Sequence, residues 1–171
     1  MSIKNSHTNA DGSIWNFEYF DCDDFSILDK EKCTQCYAVC FVEDENGKII
    51  IVHNGKKDTW GLIGGTIEKG EDHENTLKRE IHEEGNIEVL KYLPIGYQKA
   101  SGEDLENYSY QLRYVVLGRK FGEFEKDLGG GSVDKVKFID IDEVKEYFNW
   151  GEVGDRIIAR AKELKKDLTK S

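Results

Sequence analysis

The chain has 171 residues, 38% of them hydrophobic, and its 34 acidic against 24 basic side chains leave a formal charge of -10. That length suits one domain, and the acidic balance argues against nonspecific attachment to nucleic acid or an anionic membrane. No run reaches transmembrane length and the polar start MSIKNSHTNADGS lacks a signal peptide's apolar segment, so a cytoplasmic location is expected.

Residues 14–20 alternate in part and are rich in Trp and Tyr, which predicts an outer strand or hairpin arm. Trp15, Phe17 and Tyr19 could stack on a base, although packing or a dimer contact is the commoner use of such a stripe. Residues 21–34 are polar and read as irregular. Cys33, Cys36 and Cys40 follow closely, with Cys22 upstream. A Cys-x2-Cys can begin a zinc site, but no second pair and no paired histidines follow, so reduced thiols are expected, with Cys40 as a small apolar residue in a strand.

Residues 37–42 and 48–53 are β-rich and flank Asp44-Glu45-Asn46-Gly47, whose Asn-Gly pair is a strong turn signal, so the two read as a hairpin. Residues 59–67, with Trp60, Leu62 and Ile67, lead on as short extended segments.

The stretch 65–87, GTIEKGEDHENTLKREIHEEGNI, carries the chemistry. It follows Gly64, and the Gly64-Gly65 pair permits close backbone approaches that a Cβ would block. Asp72 can cap a helix that has Glu74 in its first turn. At about 100° per residue, Glu80, Glu83 and Glu84 fall within an arc of roughly 100° beside the apolar stripe of Leu77 and Ile81. Three like charges at that spacing repel, and hard oxygen ligands suit Mg²⁺ or Mn²⁺. Arg79 sits beside Glu80 and one turn before Glu83, where a guanidinium fork can fix a carboxylate. A solvated acidic helix face is the plain alternative.

Beyond this stretch, residues 87–98 read as a strand whose Pro94, the chain's only proline, marks an edge or a bulge. Residues 100–107 read as a loop, 108–117 as a strand, and 136–141 as another strand after a loop holding Gly129, Gly130 and Gly131. A short helix is expected at 142–148. A longer one at 153–168 is set by Ile157, Ala161, Leu164 and Leu168. Strands around a central helix, with a second helix at the end, predict an α/β sandwich on a mixed sheet.

The stretch 65–87 resembles the Nudix box, G-x5-E-x7-R-E-U-x-E-E-x-G-U with U a bulky aliphatic residue. Gly65, Glu71, Arg79, Glu80, Ile81, Glu83, Glu84 and Ile87 match in register. Asn86 stands at the last glycine, with Gly85 before it, and asparagine tolerates the left-handed conformation that ends a helix. Ile63 replaces a proline that many relatives carry.

The resemblance implies a Nudix-type α/β/α sandwich for residues 35–171, with residues 1–34 as an N-terminal extension. It implies Mg²⁺-dependent hydrolysis of a nucleoside diphosphate linked to a further group. Glu80, Glu83, Glu84 and the Gly65 carbonyl would hold the metal, with Arg79, Glu71 and Gly64 supporting them. A further acid from a later loop serves as base in many relatives, and Glu103, Glu106, Glu123, Glu125 and Asp127 are all candidates. The proline and tyrosine signatures of ADP-ribose, NADH and diadenosine polyphosphate hydrolases are missing, which leaves (deoxy)nucleoside triphosphates as the expected substrate. Tyr108, Tyr110 and Arg113 are candidate base or phosphate contacts, while Trp150 reads as helix packing. Dinucleoside polyphosphate or nucleotide-sugar hydrolysis, an isopentenyl diphosphate isomerase working through a cysteine and a glutamate, and a noncatalytic binder on the same fold are the alternatives; the expected partner is a nucleotide, with a homodimer through the aromatic N-terminal segment as a further option.

Overall fold

The computed structural model describes residues 1–126 and 131–170; Asp127, Gly129 and Gly130 lie outside the described residues. The chain opens with a strand that the sequence reading missed. β1 (Ser2–Thr8) pairs antiparallel with β2 (Ile14–Asp21) across a turn in which Asn9 N–H donates to Ser13 O at 2.8 Å. β1 is polar at nearly every position, because it forms the outer edge of the sheet and buries little. The legible signal was Asp11-Gly12: Gly12 adopts φ +85° and the Asp11 carboxylate accepts from Ser13 N–H at 2.9 Å.

The remaining elements are β3 (Cys33–Val42), β4 (Lys48–Asn54), β5 (Thr59–Thr66), α1 (His73–Gly85), β6 (Ile87–Ser101), β7 (Tyr108–Lys120), β8 (Val133–Ile139) and α2 (Gly151–Thr169). The expected hairpin is present: β3 and β4 pair around Asn46, which is left-handed, and Gly47. Residues 21–34 are less irregular than expected, with short 3-10 turns at Phe25–Ile27 and Lys30–Lys32 and with Phe25 and Leu28 buried. The helix expected at 142–148 is a 3-10 turn, Ile141–Glu146, started by a capping box between Asp140 and Glu143. Pro94 marks a bulge, since the β6–β7 register shifts between Pro94 and Gly96, and β2 takes its place beside β6 only from Gly96 onward. Among the described residues no helix is long and apolar enough to cross a membrane.

Among the described residues eight strands lie in the order β1-β2-β6-β7-β3-β5-β4-β8, antiparallel except for β3 beside β7. α1 covers one face, where Leu77 and Ile81 pack with Cys36, Cys40, Ile63 and Tyr114. α2 covers the other, its Val153, Ile157 and Ala161 against Val39, Phe41, Leu62 and Val115. The result is the α/β/α sandwich on a mixed sheet that the sequence predicts.

One irregularity positions everything that follows. β3 and β4 pair only from Cys40 to Val42, and β5 runs antiparallel to β4 through Leu62 and then antiparallel to β3 from Ile63. Strands β3 and β4 are themselves antiparallel, so β5 can satisfy both only by turning back between Leu62 and Ile63. β3 and β4 therefore splay into a V, and β5 follows its inner edge. The sheet has a notch there, and Gly64 and Gly65 border it.

Candidate active site

α1 is built to end at this notch. The Asp72 carboxylate accepts from Asn75 N–H at 2.7 Å to start the helix, and Asn86 ends it in the left-handed conformation (φ 54°) with its N–H on His82 O. Gly85 answers a different need: a Cβ there would stand 2.8 Å from Ile63 Cδ1 and 2.9 Å from Ile50 Cδ1, so a side chain would require both isoleucine ends to repack beneath the helix. With Leu77 and Ile81 fully buried, the acidic arc derived from the spacing faces Gly64 and Gly65.

Arg79 organises the acids. Its Nε and Nη2 donate to the two oxygens of Glu71 at 2.8 and 3.0 Å, its Nη1 to Glu80 at 2.9 Å and Glu83 at 3.1 Å, and Nη2 also reaches Thr66 O at 3.2 Å. The fork on Glu71 holds that carboxyl down to about 2, and the same hydrogen bonds raise Arg79. Thr76 donates a further hydrogen bond to Glu71. One cation thus offsets three acids on and beside the helix.

Glu84 is handled differently. Its carboxylate accepts from Gly64 N–H at 3.2 Å, and burial pushes it up to about 8 against that single bond. Glu80 is also raised, by burial first and against the pull of Arg79. It lies so close to β5 that a Cβ on Gly65 would meet its carboxyl carbon at 2.4 Å. Among the described residues no three acidic, His or Cys side chains already converge as a finished metal cage. The donor set is nonetheless oxygen only, and partly desolvated carboxylates beside a free-standing backbone edge fit a hard divalent cation that keeps several waters.

The carboxylates open into a cleft of about 1390 Å³ that passes from the notch onto the α2 face of the sheet. Tyr37, Gln98, Gln111 and Arg113 line its floor, Phe17 and Asn5 of the N-terminal hairpin its far end, and Trp60, Phe148 and Trp150 the side toward α2. Lys56 and Lys57, in the turn after β4, add positive charge at the rim.

The three proposed substrate contacts are separated by this geometry. Arg113 is in the cleft floor. Tyr108 and Tyr110 are not, because alternation along β7 turns them to the opposite face, where they lie against each other (5.4 Å) and Tyr110 against Tyr97 (5.3 Å). Of the N-terminal aromatics, Phe17 lines the cleft, Trp15 lies in a separate groove, and Tyr19 is core. Trp150, read as helix packing, both packs on Gly154 and forms cleft wall. Glu103, Glu106, Glu123 and Glu125 do not line the cleft, whereas Glu68 does; the fifth candidate base, Asp127, is outside the described residues. Tyr37 and Gln111 are not predicted by the sequence: alternation along β7 puts Gln111 on the face of Arg113, and no sequence signal pairs Tyr37 with it.

All four cysteines are free thiols. Cys36 and Cys40 are fully buried under α1, where burial pushes both up to about 12, and Cys33 points its thiol toward Asp29 O. No cysteine lines the cleft among the described residues.

The rim is fastened by His53. Its Nδ1 lies 2.6 Å from Asp134 of β8 and its Nε2 2.9 Å from Asp58, which closes the turn bearing Lys56 and Lys57. Both ring nitrogens can donate only in the imidazolium form, and the two carboxylates raise the His53 pKa, Asp134 most, against burial and Lys135. A raised folded value means that the contribution is complete below the unfolded value of about 6.5 and is lost as pH climbs through the folded one. Asp134, lowered by the same bond, contributes above its unfolded value of about 3.9 and loses that contribution in acid. His53→Gln should therefore lower the melting temperature most between about pH 5 and 6.5 and progressively less above that range. A difference that stays constant from acid to alkaline pH would show that the histidine is not charged in the fold.

Residues 35–161 match the family model of the NUDIX domain. Among solved structures the chain is similar to the Bacillus subtilis pyrophosphohydrolase BsRppH, with a TM-score of 0.66, 13% identity, and 93% of this chain and 96% of that chain covered. It is also similar to a NUDIX hydrolase from Nitrosomonas europaea (0.53, 18% identity, 75% and 87% covered). A third structure, from work on MutT of Aliivibrio salmonicida and Vibrio cholerae, aligns at 0.52 with 20% identity over 74% and 92% of the two chains. At these identities the structural likeness speaks for the fold. No curated protein sequence matches the chain.

Proposed function

The chain belongs to the Nudix family of pyrophosphohydrolases, and on that premise we propose that it hydrolyses a (deoxy)nucleoside triphosphate to the monophosphate and pyrophosphate. The observation that carries the reading is the meeting, at one notch, of three helix carboxylates with a cleft whose rim supplies Lys56 and Lys57. A phosphate chain laid from the notch into the cleft meets negative charge only where a cation can bridge it, and positive charge beyond.

The family works with divalent metal ions, and for this chain we assign Mg²⁺, with Mn²⁺ as substitute, to Glu80, Glu83, Glu84 and the Gly65 carbonyl. Such an ion would supply neutralisation of phosphate oxygens and activation of water. The protein's own part is to hold the acids apart and aimed. Arg79 keeps Glu80 and Glu83 from relaxing away from each other, Glu71 fixes Arg79 in turn, and Gly64 N–H orients Glu84. The free thiols suit a reducing compartment, and the cytoplasm is the proposed location.

Arg79→Lys keeps the charge but cannot hold Glu71 by two parallel bonds while also reaching Glu80 and Glu83. It should lower kcat by roughly ten- to a hundredfold with little change in the melting temperature. A lysine variant as fast as the parent would reduce the network to plain salt bridging.

The proposal is tested by incubating the chain with Mg²⁺ and ordinary or oxidised nucleoside triphosphates, dinucleoside polyphosphates, ADP-ribose, nucleotide sugars and NADH, and identifying products by mass. Monophosphate plus pyrophosphate from a triphosphate supports it. Selective cleavage of a dinucleotide or nucleotide sugar keeps the chemistry and replaces the substrate. Turnover of nothing, with Mn²⁺ also tried, rejects the catalytic reading. The fully buried Cys36 and Cys40 already leave an isomerase that needs a cysteine in the cleft without that residue.

A further inference from the structure

Arg113 carries a charge into the middle of the sheet without an acid to meet it among the described residues. It keeps only 5% of its surface. Among the described residues its Nη1 donates to Leu112 O at 3.1 Å and its Nη2 to Gln111 Oε1 at 3.2 Å, both neutral, while the buried Nε has no partner. Its guanidinium carbon lies 5.3 Å from the centre of the Tyr37 ring. Burial pushes the group down to about 10. A guanidinium offers five N–H donors, so most of this fork is unspent, and buried donors left unspent are costly unless something else completes them.

Arg113 forms part of the cleft floor, so a group that enters the cleft can meet the donors still open on its two terminal nitrogens. The registers fix how far that is from the chemistry. Gly64 stands opposite Tyr37, and Tyr37 opposite Arg113, in one row across β5, β3 and β7. Two strand spacings separate Gly64 from Arg113, about 10 Å. That span matches the reach from the phosphates of a nucleotide to the edge of its base. Gln98 stands opposite Gln111 on the next strand and lines the same floor, so two adaptable amides frame the fork.

We propose that Arg113 is the specificity-determining residue for the base and that it selects a 6-oxopurine, a guanine or hypoxanthine nucleotide. This rests on the hydrolase reading above for the ligand's being a nucleotide. The choice of base follows from hydrogen-bond polarity. A 6-oxopurine presents two adjacent acceptors, O6 and N7, to a fork that has only donors. Adenine turns an amino group toward the same fork and the O4 of uracil or thymine has no second acceptor beside it, while the N3 and O2 of cytosine are the other adjacent pair of acceptors, which CMP tests directly. Gln98 and Gln111 can turn either amide end toward the rest of the ring, which makes the arginine and not the amides the discriminating group.

The test uses the full chain in metal-free buffer, titrated calorimetrically with GMP, IMP, 7-deaza-GMP, AMP and CMP. GMP and IMP should bind roughly five- to 150-fold tighter than AMP and CMP, and 7-deaza-GMP should lose much of that advantage because it lacks the N7 acceptor. Arg113→Met should bring GMP to the level of AMP. If that variant fails to fold, the analogue series on the parent chain decides alone. Equal affinity for GMP and AMP, full affinity for 7-deaza-GMP, or a preference for CMP would overturn the proposal. Turnover measured separately keeps the two readings apart: triphosphate hydrolysis without GMP selectivity overturns only the base assignment, and GMP selectivity without hydrolysis overturns only the hydrolase assignment.

Discussion

Glu84→Gln is expected to lower turnover by roughly a hundred- to ten-thousandfold while the fold and its melting temperature stay near the parent's. The expected size reflects what the substitution removes. Glutamine has the shape of glutamate, and its carbonyl can still accept from Gly64 N–H, now at 3.2 Å from the carboxylate. Only the charge is lost. The protein loses little by that change, since burial already pushes this carboxyl up to about 8, toward its neutral form. A hard cation held as proposed would lose its most desolvated ligand, and with it the part of the site least diluted by water. The measurement is kcat/KM at saturating Mg²⁺ beside a thermal melt. A glutamine variant with full activity would remove Glu84 from the mechanism, and one that fails to fold would make the residue structural.

Gly64→Ala should act on the opposite side of that divide. A Cβ at Gly64 would stand 2.1 Å from Cys36 O and 2.6 Å from Tyr37 Cα, and the residue's φ is +150°. Both obstacles are backbone, so β5 and β3 must move apart for the methyl to fit. We expect a loss of about 3 to 5 kcal/mol, or on the order of 10 °C in melting temperature. Gly65→Ala is the control. There the methyl meets the flexible end of Glu80, which can swing aside, so stability should change by less than about 1 kcal/mol while turnover falls with the displaced carboxylate. Urea titration of the two variants checks both, and an alanine at 64 that melts with the parent would refute the notch geometry.

The part of the site that lies on α1 was legible because it is local. Glu80, Glu83 and Glu84 share a face by helical arithmetic alone, and Asp72 and Asn86 announce where that helix starts and stops. The cleft was not legible, because its walls are joined by registers between strands far apart in the chain. Nothing near Arg113 says that Tyr37 will stand beside it, or that a notch will open one strand further on. Tyr108 and Tyr110 are even-numbered and Arg113 odd, so one regular strand could not have turned all three to one ligand. β1 escaped for another reason: an edge strand that buries little has no hydrophobic rhythm to read. The bend in β5 arises from satisfying two neighbours at once, and no property of residues 59–66 taken alone encodes it.

The alternation along β7 means that one segment answers to two selections. Leu112, Tyr114 and Val116 belong to the core beneath α1, and a change at any of them is judged by whether the protein still folds. Gln111 and Arg113, interleaved with them, line the cleft and so also meet whatever enters it. A lineage that took up a new substrate could therefore rewrite positions 111 and 113 and leave the residues between and after them alone, since Val115, next in the same phase, is core again beneath α2. Divergence within such a lineage would appear as a brief two-residue beat in the gene, with drift or adaptation at these two positions and stasis around them.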